Sequence, residues 1–398
     1  MPTFAKGKIE AYVGPADLGA PDDLEQVIVD FIGGAKESLD IAVQELDNER
    51  IAKAILDAKW RGVRVSIVLE QSYLREEKLD FKKEVVPQQG ETVEQALQNW
   101  LRTPNGENKV NRRIATSLLQ LNVDLKVDFN KEIFHQKFVV RDYRGSAKPT
   151  SALLSGSTNF TDTDCHENLN HVFVFHDTGI CREYGNQFAE IERGEFGPRG
   201  LGGEPPVFDL EGVPVTVLFA PDNVPEQEVI KQILKAEKEV EFAIFTFSGS
   251  SAIDDAMLMA ARAGCKVRGA LDRGQAAHDW TAPHGEQGGA PPWLNRPNIS
   301  LFTPKEGSGV RKLHHKLMAI DNNTLLAGSF NYTAPANRFN DENLFVIGCA
   351  YDIFPDRRKD AEKKLQKIDK AATAEIVDYM RAEIDRIASK AVSEPWEP

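Results

Sequence analysis

The sequence has few cysteines, no long apolar run and no excess of basic residues. Its 4 cysteines, spread over 398 residues, form no CxxC pair, which argues against a zinc site and against a dense disulfide framework. No apolar run approaches the roughly 18 residues that a membrane-spanning helix needs. Residues 1–15 contain no apolar segment of the kind found in signal peptides. These absences predict a soluble, reduced, cytoplasmic protein.

Positive charge is in deficit, because 48 Lys and Arg stand against 61 Asp and Glu, for a net charge of −13. Proteins that bind nucleic-acid backbones usually carry the opposite balance. A nucleic-acid role would therefore need a local basic groove within an acidic protein. The 41% of hydrophobic residues excludes a disordered chain, and the length predicts two domains at about 100–200 residues each.

The two halves of the chain repeat the same order of predicted elements. Residues 37–70 predict a strand, an amphipathic helix that ends at Gly62, and a second strand. Residues 238–272 predict the same order, with Gly264 at the matching position. Strands that alternate with helices indicate βαβ units. We therefore predict an α/β protein with two similar, pseudo-twofold α/β/α lobes, each built on a mostly parallel mixed sheet.

The repeat suggests boundaries for these lobes. The N-terminal lobe is predicted at 1–195, with a helical insertion near 71–120, and the C-terminal lobe at 207–398. A Gly- and Pro-rich linker at 196–206 separates them. The irregular loop at 274–297 has the composition of a lid or binding loop. The charged C-terminal helical region is expected to pack on the second lobe or to form a dimer contact, so monomer and homodimer both stay open.

Each half also carries the pattern H-x-K-x4-D followed by G-S-x-N. The first copy comprises His135, Lys137, Asp142, Ser157 and Asn159. The second comprises His314, Lys316, Asp321, Ser329 and Asn331. A Glu-Asn pair follows each copy and begins at Glu167 and at Glu342. One copy could arise by accident, but two copies at equivalent places of a repeat are a specific signal.

The spacing fits one phosphate site that the two lobes share. His-x-Lys on a strand places both side chains on the same face, because strand side chains alternate. The serine and asparagine of each G-S-x-N turn can donate hydrogen bonds to phosphate oxygens. If the lobes face each other, the lysines and asparagines would hold a phosphodiester, and the two histidines would lie on opposite sides of phosphorus.

Opposed histidines suit an in-line displacement. One histidine would attack phosphorus and form a phosphohistidine. The other would protonate the leaving oxygen and then take a proton from water. A carboxylate bonded to each ring would fix its tautomer, and Glu167 and Glu342 are the candidates. The cationic side chains can supply the charge stabilisation, so this chemistry requires no metal and no other cofactor.

These motifs resemble the two HKD motifs of the phospholipase D superfamily, and the resemblance covers nearly the whole chain as two duplicated lobes. It implies an active site at the lobe interface and a metal-independent reaction through a phosphohistidine. It also implies that His135 is the nucleophile and His314 the acid and base. The motif aspartates, Asp142 and Asp321, tend to be structural in this family.

Two features depart from a regular repeat. The stretch between Asp142 and Ser157 is longer than its counterpart in the second motif, which predicts an extended hairpin. Glu167 also follows its motif asparagine more closely than Glu342 does. Glu342 therefore fits the histidine-orienting role better than Glu167.

The motifs specify a phosphodiester but not the alcohol attached to it. The acidic charge and the Trp-containing loop at 274–297 favour a glycerophospholipid, and thus a phospholipase D-type phosphoric diester hydrolase. The absence of a lipid-anchoring helix favours a metal-independent nuclease that cleaves DNA or RNA. A non-catalytic phosphate-binding protein is a third possibility, and the two intact motifs argue against it.

Overall fold

The structure is a computed structural model, and it describes residues 2–75, 86–88, 90–102, 108–198, 204–279, 297–348, 368–389 and 392–395. Within these residues the chain forms two mixed sheets of nine strands each, with helices packed on them. The prediction of a duplicated α/β fold is confirmed. Most of the predicted loop at 274–297 and the start of the C-terminal helical region lie outside the described residues, as does Cys349.

The first half of the chain supplies eight of the described strands and six α-helices. The strands are β1 (Thr3–Phe4), β2 (Ile9–Gly14), β3 (Ser38–Val43), β4 (Arg64–Leu69), β5 (Asp124–Val127), β6 (Lys137–Arg141), β7 (Ala152–Gly156) and β8 (Asn168–Phe175). The helices are α1 (Leu24–Gly33), α2 (Glu49–Trp60), α3 (Val93–Arg102), α4 (Lys109–Gln120), α5 (Asp162–His166) and α6 (Thr178–Glu192). The sheet order is β1-β2-β8-β7-β6-β3-β4-β5.

The second half repeats this arrangement. Its strands are β9 (Val207–Leu210), β10 (Val213–Ala220), β11 (Glu239–Ile244), β12 (Lys266–Leu271), β13 (Ile299–Pro304), β14 (Lys312–Leu313), β15 (Lys316–Ile320), β16 (Thr324–Gly328), β17 (Glu342–Gly348) and β18 (Ser393–Pro395). Its helices are α7 (Pro225–Leu234), α8 (Ile253–Arg262), α9 (Arg273–Asp279), α10 (Ala334–Arg338) and α11 (Lys370–Ile387). The sheet order is β18-β13-β12-β11-β15-β16-β17-β10-β9.

Both sheets are mixed, but antiparallel pairs are more numerous than the predicted mostly parallel arrangement allows. In the described part of each half, parallel pairing between strands is confined to β3-β4-β5 and to β11-β12-β13, where helices connect the strands. Isolated parallel bridges also join Leu46 to Phe160 and Phe247 to Tyr332. The motif strands β6, β7 and β8, and their counterparts β15, β16 and β17, pair antiparallel. The chain turns back directly between these strands without the long crossover that parallel neighbours need.

The repeated segments fold as the sequence predicts. Asn48 caps α2 by accepting a hydrogen bond from the backbone N–H of Ile51 (2.9 Å). Gly62 and Gly264 follow α2 and α8 with φ angles of 90° and 103°, in the left-handed region that favours glycine. Each glycine therefore ends its helix and turns the chain into the next strand.

The two sheets enclose one shared apolar core. Side chains from the inner faces of both sheets meet there, and Phe173 of β8 lies 5.0 Å, between ring centroids, from Phe345 of β17. Helix α6 and helix α11 bury their apolar sides in the same core. Tyr379 of α11 also packs on Phe4, so this helix contacts both halves and not the second lobe alone.

The outer faces of the sheets have separate cores. Helices α1, α2 and α4 cover the first sheet, and α7 and α8 cover the second. The insertion predicted near 71–120 is helical where it is described, as α3 and α4. No helix in the described part of the chain is long and apolar enough to cross a membrane.

The halves exchange backbone hydrogen bonds immediately before each motif. Strand β14 leaves its own sheet and pairs with β8 of the first sheet. The N–H of His314 donates to the carbonyl of Leu169 (2.9 Å), and the N–H of His135 donates to the carbonyl of Asp341 (3.0 Å). Each motif histidine is thus held by the backbone of the opposite half, which brings the two motifs together at the interface.

Candidate active site

The two motif histidines meet at the junction of the lobes. Residue His135 precedes β6, and His314 precedes β15. Their ring centroids are 6.5 Å apart and the ring planes are inclined by 76°. Both residues are buried, with 6% and 5% of their surface exposed. The structure therefore places the two rings close enough for both to contact one phosphate group.

The ring of His135 is fixed by a carboxylate from the opposite half. Its Nδ1 atom lies 2.6 Å from Oε2 of Glu342, at the start of β17. Ser329 donates its hydroxyl proton to the same oxygen (2.7 Å). Burial lowers the pKa of His135 well below its usual value, and Lys137 lowers it further. Burial raises the pKa of Glu342 to about 8.

The ring of His314 has a different partner. Its Nδ1 atom lies 3.0 Å from Oδ1 of Asn170 on β8, and the hydroxyl of Ser157 donates to that same oxygen (2.7 Å). A carboxylate lies slightly farther away, with Oδ2 of Asp164 at 3.5 Å from Nδ1. Burial lowers the pKa of His314 well below its usual value, and Lys316 adds to this effect.

The two motif lysines lie beside the histidines with their ammonium groups on backbone carbonyls. Lys137 donates from Nζ to the carbonyl of His135 (3.0 Å) and to Oε1 of Gln44 (3.1 Å). Lys316 donates to the carbonyl of His314 (2.8 Å), and its Nζ lies 5.0 Å from the ring centroid of Phe245. Burial lowers the pKa of Lys137 to about 8 and that of Lys316 well below its usual value.

The motif asparagines lie near the same junction. The N–H of Asn159 donates to Oδ2 of Asp164 (2.6 Å). The side-chain oxygen of Asn159 is buried and has no hydrogen-bond partner among the residues that the structure describes. Oδ1 of Asn331, by contrast, accepts a hydrogen bond from the N–H of Thr246 (3.3 Å). A phosphate oxygen only accepts hydrogen bonds, so the two asparagines could bind it through their side-chain NH2 groups and not through these oxygens.

The motif serines have a different role from the one that the sequence predicts. The hydroxyl of Ser157 donates to Asn170 and that of Ser329 donates to Glu342. Each hydroxyl also accepts a backbone N–H from strand β8 or β17. Both serines are fully buried. Their hydroxyl protons are donated to Asn170 and Glu342, so in this arrangement the serines hold the histidine partners in place and have no hydroxyl proton to donate to a phosphate oxygen.

The motif aspartates lie at the other ends of the motif strands. Asp142 accepts hydrogen bonds from the backbone N–H groups of Lys36, Glu37 and Ser38. Asp321 accepts hydrogen bonds from the equivalent three residues of the second half, 237–239. Each carboxylate therefore anchors the start of the neighbouring strand, β3 or β11.

Comparison with known proteins shows which family contains this chain. The family described as "Cardiolipin synthase, PLD-like domain" matches residues 28–192 and 229–354, which contain both motifs and most of the chain. The chain belongs to the phospholipase D superfamily. The resemblance predicted from the motifs is therefore confirmed.

Individual relatives cover smaller parts of the chain. A phospholipase D from Rickettsia conorii is 29% identical over 141 residues, which are 35% of this chain and 64% of that protein. A mitochondrial cardiolipin hydrolase from Danio rerio is 31% identical over 118 residues, 30% of this chain and 47% of that protein. The matched segments thus span about half to two thirds of these relatives.

A solved structure resembles the whole fold. The phosphatidylserine synthase of Haemophilus influenzae superposes with a TM-score of 0.58, over 97% of this chain and 94% of that protein, at 12% identity. At this identity the likeness shows the shared two-lobed fold of the phospholipase D superfamily and nothing about the substrate.

One weaker candidate of the sequence analysis is corrected within this phospholipase D-like site. Glu167 is exposed, and its carboxylate lies 3.8 Å from Arg311, away from both rings. The position equivalent to Glu342 is held by Asn170, because the motif serine donates to each of them. The spacing in the sequence agrees with this equivalence, because Asn170 follows Asn159 by 11 residues and Glu342 follows Asn331 by 11 residues.

Three other residues at the site are not among those predicted from the sequence. Gln44 and Phe245 follow β3 and β11 at equivalent positions and contact the two lysines differently. Asp164 lies on α5 beside His314. No repeated pattern marks these residues, because the two halves differ at each of the three positions. An alignment of the two halves that extends beyond the motifs would have been needed to find them.

A separate group of side chains has metal-ligand spacing. It comprises Glu25, Asp162 and His166, and none of the residues described above belongs to it. The ring nitrogens of His166 lie 2.7 Å from carboxylate oxygens of Asp17 and Glu25. Glu25 also pairs with Arg50. These contacts are those of an ion-pair network at the edge of the first lobe.

Proposed function

We propose that this chain hydrolyses a phosphodiester bond in two steps through a phosphohistidine, with a glycerophospholipid as substrate. The observation that carries the proposal is the pair of buried histidine rings, one from each half, with their centroids 6.5 Å apart. Each ring has its Nδ1 bound to a side-chain oxygen. That contact places the proton on Nδ1 and leaves Nε2 as the reactive nitrogen.

In the first step, Nε2 of His135 attacks phosphorus and the bond from phosphorus to the leaving alcohol breaks. A proton passes from Nε2 of His314 to the leaving oxygen. The carboxylate of Glu342 stabilises the positive charge that develops on the ring of His135. In the second step, His314 takes a proton from water, the resulting hydroxide attacks phosphorus, and the bond from phosphorus to His135 breaks.

The two lysines supply the electrostatic part of this mechanism. Their ammonium groups would neutralise the non-bridging phosphate oxygens as charge builds on them. In the free protein the same lysines help to lower the pKa of both histidines. A bound phosphodiester anion opposes this effect, so substrate binding raises the pKa of His314 and favours the protonated acid that the first step requires.

The charges around the site favour a lipid over a polyanion. Glu45 and Asp47 lie just beyond β3 and bring two acidic side chains close to the site. Helix α4 carries the basic residues Lys109, Arg112 and Arg113, and their charge is partly neutralised because Arg113 pairs with Glu49. A long nucleic acid would meet these carboxylates, whereas a single headgroup phosphate needs only the site itself.

Apolar side chains on the segments that lead into the site also favour a lipid. Phe129, Ile133 and Phe339 are exposed, by 83%, 46% and 47% respectively. The side-chain amide of Asn130 donates to the carbonyl of Phe339 (3.4 Å), and the N–H of Asp341 donates to the carbonyl of Ile133 (3.2 Å). We call these three residues the apolar rim. Two of the relatives are named for action on lipids, as a phospholipase D and a cardiolipin hydrolase.

The test is to incubate the purified protein, in EDTA, with phosphatidylcholine or cardiolipin vesicles, single-stranded DNA and RNA. We expect phospholipid hydrolysis, loss of activity in His135→Asn and His314→Asn, and normal activity in His176→Asn. His176 is a matched control because it lies at the end of β8 and pairs with Glu10. Cleavage of nucleic acid alone would show that the lipid assignment is wrong. Phosphate binding without turnover on any diester would overturn the proposed catalysis.

A further inference from the structure

We propose that Asp164 is the positioning residue and counter-ion of His314, so that it does for the second histidine what Glu342 does for the first. The inference rests on the proposed function, since it concerns the acid and base of that reaction. It goes beyond the motifs, because Asp164 lies on the short helix α5, outside both of them.

The repeat shows that the usual place for such a carboxylate is taken by an amide. Gly156 of β7 pairs with Val172, and Gly328 of β16 pairs with Leu344. Counting back two residues on each partner strand makes Asn170 the counterpart of Glu342. Asn170 can accept the Nδ1 proton of His314, but a neutral amide does little to stabilise a positive ring.

In the first half, a carboxylate lies instead on helix α5, which follows the first motif. Thr161 and Thr333 are equivalent caps, since each lies two residues after its motif asparagine and accepts an N–H from three residues further on. The residue three beyond Thr161 is Asp164, whereas the residue three beyond Thr333 is Ala336. The second half therefore has its carboxylate on the strand, and the first half has it on the helix.

The contacts of Asp164 suit this role. Its side chain is buried, and its Oδ2 lies 3.5 Å from Nδ1 of His314. Its backbone carbonyl accepts a hydrogen bond from the amide of Asn170 (3.1 Å), which orients the oxygen of that amide toward His314. Its Oδ2 also accepts the N–H of Asn159 (2.6 Å). Asp164 thus contacts the ring and the backbone of Asn159 through its carboxylate, and it orients the ring's amide partner through its backbone carbonyl.

The surroundings of His314 make a counter-ion necessary. The charged or titratable groups that face it from the two motifs and from β14 are Lys312, Lys316, Lys137 and His135. Each of these disfavours a protonated ring. Asp164 brings a negative charge to the same ring, with its Oδ2 atom 3.5 Å from Nδ1 of His314. At this distance and burial its attraction for a protonated ring is substantial.

The experiment measures two quantities in the full-length protein, namely the pH dependence of kcat and the pKa of His314 from NMR titration of the ring nitrogens. Asp164→Asn is expected to reduce kcat by about 100-fold and to move the pKa of His314 downward, while KM changes little. Asp164→Asn combined with Asn170→Asp puts the carboxylate back on the strand, and is expected to recover most of the lost kcat. Exposed Asp162 on the same helix provides the matched control, Asp162→Asn.

A second control separates positioning from folding, because Asp164 also supports the turn at Asn159. Thr161→Ala removes the cap of α5 without removing charge. It should lower the melting temperature and leave the pKa of His314 unchanged. If Asp164→Asn lowers only stability and leaves the pH profile intact, or if the double variant shows no recovery, the inference is wrong. If the wild-type protein itself cleaves no diester, the proposed function fails, while the titration still tests the contact.

Discussion

The two halves of this protein hold equivalent histidines in unequal surroundings. His135 is bound to a buried carboxylate, Glu342, which lies on a strand of the opposite half. His314 is bound to the amide of Asn170 on the equivalent strand, and its nearest carboxylate lies on a helix. A carboxylate in direct contact suits a ring that must carry positive charge through a covalent intermediate. A looser contact suits a ring that gives up and regains a proton in each cycle.

The lysines differ in the same way. Lys137 has a polar neighbour in Gln44, whereas Lys316 lies over the ring of Phe245, which also packs on His314 at 4.9 Å between ring centroids. The second half therefore surrounds its histidine with an aromatic ring and further cations. The two halves carry two copies of the same motif. The differences between the surroundings of the two histidines would allow one to act as nucleophile and the other as acid and base.

The largest expected effect tests which half carries the nucleophile. With a diester whose leaving group is p-nitrophenol, protonation of the leaving oxygen is not needed. His314→Asn should then still form the phosphohistidine on His135 and accumulate it, because water is no longer activated. His135→Asn should form none and lose turnover by about 10³-fold. Mass spectrometry of protein quenched at alkaline pH detects the modified residue. A phosphate on His314 would reverse the assignment.

The next effect concerns Glu342, the buried carboxylate that lies on the strand in the second half, where the first half has an amide. Glu342→Gln should reduce kcat on the order of 10²–10⁴-fold, since the ring loses its counter-ion. The pKa of Glu342 is raised by burial to about 8 from its usual 4.5. The folded protein therefore loses stability as pH rises from about 4.5 through 8. The variant escapes this loss, so its melting temperature should exceed that of the wild type at pH 9 by roughly 2–4 °C.

Calorimetry at pH 5 and pH 9 checks this pH dependence. Exposed Glu167, whose carboxylate lies beside Arg311, provides the control Glu167→Gln. The melting temperature of that variant should equal that of the wild type at both pH values. An equal change in melting temperature for Glu342→Gln at the two pH values would contradict the buried-carboxylate explanation.

A smaller effect distinguishes the lysines. Burial lowers the pKa of Lys137 to about 8, so its ammonium group is charged below that pH and neutral above it. The KM for the diester should rise about tenfold between pH 7 and pH 9, since an anionic substrate loses a cationic partner. In Lys137→Arg, which keeps its charge, this rise should be largely absent, whatever the change in KM at pH 7. Steady-state kinetics across this range provide the measurement.

The smallest effect concerns the apolar rim. Phe129→Ser combined with Ile133→Ser should raise the apparent KM for vesicles severalfold, because less apolar surface reaches the bilayer. Activity on a soluble short-chain diester should stay unchanged. Trp60→Ser removes an equally exposed aromatic residue from the end of α2 and should change neither activity. Equal losses on vesicles and on the soluble diester would show that the rim supports the fold and not lipid contact.

Much of this protein could be predicted from its sequence. The repeat of strand, helix and strand follows from apolar spacing and from Gly62 and Gly264, which are local features. The duplicated motifs indicated the superfamily and the residues that lie at the lobe junction. Strand direction was harder, because an apolar strand looks the same in a parallel and in an antiparallel sheet. The excess of antiparallel pairs was therefore not foreseen.

The sequence by itself determined the two half-sites, since motif and repeat are both short-range patterns that each half carries alone. Only the tertiary structure decided which side chains from one half contact the histidine of the other. The contacts from Glu342 to His135 and from Asn170 and Asp164 to His314 join residues far apart in the chain. Their pairing depends on β14 crossing to the first sheet, and no local pattern encodes that exchange. Burial of these groups at the junction shifts their pKa values. The charge at the site therefore depends on the side chains that meet there, and the net charge of −13 of the whole chain does not exclude a phosphate substrate.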